Sequence, residues 1–243
     1  MKKRLFVLVM LFLACNSYGQ KSKADSIATS DSIARNDDAS RLASYLLLIM
    51  EGIQNKRDGK YKEAFVSFDS AISIDPTYPE VYYHVGKLFF EKENNLKSVE
   101  NLSKAIDLGR NDFDVFILRG MVKYNLEDYR GSDLDYLKAF EVANNQSLFF
   151  QVNDGGNDII EDKNFSDLFL KMGMNKTQLQ DYTRAIEDYT KAISYDEKNS
   201  KALFLRGAIR VQYKAVSEGC LDLSRAGELG NEMAYDFIKK YCN

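Results

Sequence analysis

The chain has 243 residues but no tryptophan, one histidine, two prolines and three cysteines. Each scarcity excludes something. A lone His84, with no Cys-x-x-Cys or His-x-x-x-His pair, leaves no zinc-ligand spacing, and no cofactor is expected. There is no Gly-rich phosphate loop and no Gly-x-Ser-x-Gly elbow, so neither nucleotide transfer nor serine hydrolysis has its usual frame. The prolines, Pro76 and Pro79, are too few to break many helices, and long Val/Thr runs are missing, which favours helix over strand. Net charge is −3 with no basic stripe, which argues against nucleic acid as a partner. The acidic run around Asn153–Asp162 lacks EF-hand ligand spacing and reads as a solvated loop. An enzyme would need a convergent polar cluster that these residues do not supply.

The chain does have an address. Lys2, Lys3 and Arg4 precede an apolar run from Leu5 to Ala14, followed by small residues before Gln20. That is the layout of a secretory signal over residues 1–19, and the run is too short for the ~20 residues a span requires. Its Ser-Tyr-Gly-Gln ending resembles signal peptides of Bacteroidetes-type bacteria. Leu13-Ala14-Cys15 also allows a lipoprotein reading, with Cys15 lipidated and the protein attached to a membrane. Either way an exported protein is expected, periplasmic, secreted or anchored at the outer membrane. Residues 20–40 are polar, with Asp-Ser-Ile-Ala twice, and read as a flexible spacer.

From Arg41 onward, small and aromatic residues recur every 34 positions. Gly52, Gly86 and Gly120 form one rung, Ala71, Ala105 and Ala139 another, and Phe68, Leu102 and Tyr136 a third. Gly173 and Gly207, Tyr189 and Leu223, and Ala192 and Ala226 repeat the same step further on. A fixed period of this length marks a stacked repeat array. Between rungs, apolar residues recur at helical spacing, as in Leu42, Tyr45, Leu46, Ile49 and Ile53, and turn residues such as Asp58-Gly59 separate paired helices. The step from Ala139 to Ala192 is 53 residues, leaving 19 extra ones around 147–165. They form a surface loop or a hinge. After Leu229-Gly230, residues 232–243 read as one last, capping helix.

Counted from Tyr45, Pro79, Phe113, Ser166 and Ser200, the small eighth, twentieth and twenty-seventh positions resemble the tetratricopeptide repeat. The resemblance implies an all-α, right-handed superhelix of about five helix–turn–helix units, three over 41–146 and two over 166–231. It also implies a protein-binding scaffold or adaptor whose first helices line a concave groove. Carried onto this chain, the family's groove positions include Tyr83, Lys87, Phe90, Ile117, Met121, Tyr124, Leu170, Met174, Lys201 and Phe204. This lining suits an apolar or amphipathic peptide from another protein better than a clamped C-terminal carboxylate. The same surface could instead be covered by the chain's own segments, and a structural role in an envelope assembly needs no peptide at all. The oligomeric state is not readable.

Cys220 and Cys242 remain. Export would place them in an oxidising compartment, and a hairpin turning at Gly230 sets them opposite each other. A bridge there is expected to contribute about 3 kcal/mol; two free thiols are the alternative.

Overall fold

A glycine facing a bulky side chain is the unit from which each helical hairpin is built. A Cβ added at Gly52 would lie 2.4 Å from the Phe68 ring, at Gly120 2.5 Å from Tyr136, and at Gly173 2.6 Å from Tyr189. At Gly86 it would meet Leu102, and at Gly207 the Gly219 carbonyl and Leu223. Every first helix therefore offers a bare backbone at the repeat's eighth position to a bulky side chain at the twenty-fourth. Phe68, Leu102, Tyr136, Tyr189 and Leu223 are all at most 1% exposed. The two sequence ladders are thus the two halves of one contact, and the close approach is what small residues permit. Gly120→Val is expected to force the Tyr136 ring out of place and lower stability by about 1–3 kcal/mol in chemical denaturation.

The computed structural model describes residues 38–153, 162–213 and 215–242, all of whose regular elements are α-helices. They are α1 (38–57), α2 (Tyr61–Ile74), α3 (Pro79–Glu91), α4 (Asn95–Asp107), α5 (Phe113–Asn125) and α6 (Tyr129–Asn153). There follow α7 (Asp162–Gln178), α8 (Tyr182–Tyr195), α9 (Ser200–Gln212), α10 (Val216–Glu228) and α11 (Met233–Tyr241). The packing is that of tetratricopeptide repeats. The signal segment, Cys15 and most of the expected spacer lie outside the described residues; the spacer's last residues, 38–40, already belong to α1.

The chain divides into two compact units, Met1–Thr77 and Tyr78–Asn243. In the first, α1 and α2 form an antiparallel hairpin. Arg41 near the start of α1 donates to the Ile74 carbonyl at the end of α2, and Asn55 near its end reaches Ser67. In the second, α3–α10 make four hairpins in sequence order, and α11 packs on α10.

Four helix starts are fixed by side-chain caps. Asn94, Asp112, Asp181 and Asn199 each accept a hydrogen bond from the backbone N–H three residues on, and Pro79 opens α3, where its missing N–H costs nothing. In the first four hairpins the turn between paired helices passes through a left-handed residue at the same repeat position: Gly59, Glu93, Glu127 and Gln180, with φ between 58° and 75°.

One expectation is corrected. The extra residues are not a loop over 147–165: α6 continues to Asn153, and α7 begins at Asp162, four residues before the anticipated repeat start. No glycine or proline stands between Tyr129-Arg130-Gly131 and Asn153 to stop the helix. Residues 154–161, which hold the Asp-Gly-Gly core of the acidic run, are outside the described residues.

At the C-terminal end, Cys220 on α10 and Cys242 after α11 are joined by a disulfide, with Cα atoms 5.8 Å apart. Gly230, at φ 88°, makes the turn that brings them together.

Candidate functional site

Four first helices and one second helix meet at an open cleft of about 170 Å³. Phe90 comes from α3, Met121, Tyr124 and Asn125 from α5, and Tyr136 from α6. Leu170, Lys171 and Met174 come from α7, and Lys201 from α9. The volume is comparable to the ~150 Å³ apolar cavity that takes up a benzene ring. Six of the ten groove residues expected from the repeat positions are therefore brought together: Phe90, Met121, Tyr124, Leu170, Met174 and Lys201.

The other four are placed differently. Tyr83 is 8% exposed and lies under the Arg110 guanidinium, 3.7 Å from its ring centroid. Arg110 is held there by Glu80 and by Asp112 at 2.8 Å. Phe204 is also 8% exposed, with Phe237 of the cap edge-on against it at 5.2 Å. Lys87 and Ile117 are half-buried and do not line the cleft. Counting positions could not see Arg110 or Phe237, because both come from further along the chain, Arg110 from the turn between α4 and α5 and Phe237 from α11. The sequence reading also missed Tyr136, Asn125 and Lys171. Tyr136 was legible only as a packing rung, yet the same ring that fills the space over Gly120 forms the cleft wall.

The chemistry of the cleft is that of recognition. Its walls are aromatic, aliphatic and thioether groups, surfaces that adapt to apolar side chains. Burial pushes the Tyr136 hydroxyl well above its ordinary range, partly offset by Ser132, so it stays protonated. Lys171 and Lys201 stand at the cleft and make no hydrogen bond or ion pair among the described residues. His84 is occupied with Glu80 at 3.1 Å and lies edge-on to Tyr83. Its hydrogen bond, joined by the Arg110 charge, draws the Glu80 carboxyl down to about 2. Among the described residues, no group of three or more His, Cys, Asp or Glu could hold a metal ion, and no helix is long and apolar enough to cross a membrane.

A second polar feature was not anticipated. Arg119 on α5 donates to both carboxylate oxygens of Asp135 on α6, at 2.9 and 2.6 Å, and to Ser103 of the preceding repeat at 3.1 Å. Arg206 on α9 does the same with Asp222 on α10, at 2.9 and 2.7 Å, and with Thr190 of the preceding repeat at 3.0 Å. Lys123 and Arg210 add a second cation to each acid. An Arg and an Asp sixteen residues apart, in register in two repeats, was the signal available in the sequence.

Comparison with known proteins agrees with the fold. Residues 57–93 match the family model described as TPR repeat, and residues 166–199 the one described as tetratricopeptide repeat. Anaphase-promoting complex subunit 3 of Schizosaccharomyces pombe is 24% identical over 63% of this chain, and the Hsp70-Hsp90 organising protein of Plasmodium falciparum 23% identical over 67%. The matched regions span 20% and 66% of those two proteins. Among solved structures, YrrB, described as a TPR protein with an unusual peptide-binding site, superposes with a TM-score of 0.65 at 17% identity, covering 79% of this chain and 90% of its own. MamA gives 0.61 at 17% identity, covering 76% and 96%, and PilF of Pseudomonas aeruginosa 0.59 at 15%, covering 79% and 78%. The fold of this chain is that of the tetratricopeptide-repeat proteins, with two of its repeats matching the family's own sequence models.

Proposed function

We propose that this protein is a non-catalytic scaffold that holds an apolar or amphipathic peptide segment of another protein, with bulky side chains seated in the cleft between α3, α5, α7 and α9. The observation that carries the reading is the convergence of Phe90, Met121, Tyr124, Leu170 and Met174 on one open, apolar hollow. Arrays of helical hairpins offer extended surfaces of this kind, and their chemistry is contact rather than bond-making. The likeness to YrrB and to the Hsp70-Hsp90 organising protein supports an interaction role. The basic and apolar start of the sequence supports export, with Cys15 as a candidate membrane anchor.

Selection of the mature protein against a random peptide library tests the reading. Enriched peptides are expected to share bulky apolar residues. Tyr124→Ala combined with Met174→Ala is expected to weaken their binding about tenfold or more, since both side chains are cleft walls. Peptides that bind a folded double variant as well as the parent would remove the cleft from the account.

A further inference from the structure

The repeat register exposes an acid that has lost its partner. Asp135 and Asp222, at the twenty-third position of their repeats, are buried and forked by Arg119 and Arg206 from the seventh. In the repeat between them the seventh position is Met172, and the twenty-third is Asp188. Asp188 is 7% exposed and makes no hydrogen bond or ion pair among the described residues. Lys176, the counterpart of Lys123 and Arg210, turns away from it to pair with Asp133 on α6. Beside that pair, the Asn175 side-chain N–H donates to Ser132 at 3.1 Å. These two side chains tie α7 back to α6 across the extra residues of the array. The cluster is short of donors: Asp133 Oδ1 and Asn175 Oδ1 are buried without a hydrogen-bond partner.

We propose that the corner where α6, α7 and α8 meet is a proton-sensitive joint, in which ionised Asp188 competes with Asp133 for the one ammonium of Lys176 and protonated Asp188 leaves it to the α6–α7 tie. The charged groups around Asp188 are few. Lys176 on α7 draws it toward ionisation and Asp133 on α6 opposes this; on α8 itself Lys191 and Glu187 act with lesser and opposite effect. On α9, Arg206 and Arg210 are committed to Asp222. Burial dominates and lifts the Asp188 carboxyl to about 6. A carboxyl that binds its proton more tightly folded than unfolded adds stability on acidification. The gain begins as pH falls through about 6 and is complete below the unfolded value of about 4. The inference does not depend on what the cleft binds.

The test is thermal unfolding of the mature chain, with its disulfide intact, from pH 7.5 to 4.5, beside Asp188→Asn. The near-isosteric amide removes the charge and keeps the shape. The melting temperature of Asp188→Asn is expected to exceed that of the parent by about 3–6 °C at pH 7.5, and this gap is expected to narrow steadily as pH falls toward 4.5. Amide protection in α6 and α7, taken relative to the intrinsic exchange rate at each pH, is expected to rise on acidification in the parent and not in the variant. Met172→Arg, which supplies the missing fork, is expected to remove the pH-dependent difference as well. Parallel melting profiles for the parent and Asp188→Asn would overturn the proposal, as would an exchange response confined to α9–α11.

Discussion

Asp222→Ala is expected to lower the stability of the protein by about 3–5 kcal/mol, the cost of breaking a buried ion pair from one side. Asp222 is 6% exposed and receives Arg206 through two N–H groups and Arg210 through a third, at 2.6–2.9 Å. Its removal strands two guanidiniums whose side chains are only 12% and 24% exposed. Part of the link from Arg206 to Thr190 goes with it, because the carboxylate fixes the fork that presents the third N–H. The loss is expected first in the last repeat, since each repeat of such an array is stabilised by its neighbours. Urea denaturation followed by helix content reads it directly. The same position one repeat earlier is expected to respond in the opposite direction: Asp188→Asn gains stability at neutral pH. The two acids differ in what the repeat's seventh and eleventh positions offer them: Arg206 and Arg210 for Asp222, and Met172 with a Lys176 turned to Asp133 for Asp188.

Replacing both Cys220 and Cys242 by serine is expected to cost about 3 kcal/mol, from the freedom restored to an unfolded loop that the bridge closes over 22 residues. For a chain of this length that is a melting-temperature drop of about 6–12 °C. The cap has little else to hold it. Of α11, only Ala234 is fully buried, while Met233 and Tyr235 are more than half exposed. Nine residues are too few for an isolated helix to persist in water. Its remaining anchors are Phe237 against Phe204 and Tyr235 over Gly227. Fast amide exchange confined to α11 is expected in the double variant. An unchanged melting profile after reduction would mean that these aromatic contacts suffice.

What could be read in advance follows from which interactions are local. The paired helices were legible, because apolar spacing and turn residues such as Asp58-Gly59 are local signals. The Gly–aromatic rungs repeat at a fixed period, so their pairing was implicit. The left-handed turns were hidden: three of the four carry Glu or Gln, where sequence offers no glycine to mark them. The long α6 was hidden for a related reason. The extra residues were counted from the period, and a period says where residues are surplus, not what they form. The burial of Asp135 and Asp222 was not legible, because it depends on arginines a whole helix away. Within the cleft, six residues were legible by register. Tyr83 and Phe204 were not, since their covers, Arg110 in the α4–α5 turn and Phe237 on α11, come from further along the chain.

The arginine forks also divide the array mechanically. Arg119 reaches back to Ser103, and Arg206 to Thr190, so the second repeat is pinned to the third and the fourth to the fifth. Between the third and fourth, the equivalent positions are Met172 and Leu137, which cannot form such a pin. That seam relies on Lys176, Asn175 and the Phe140 ring set edge-on against Phe165 and Phe169. Rings slide where a bidentate fork locks. Under a pulling force, the unforked seam beside Leu170 and Met174 is expected to yield before the two that a fork pins.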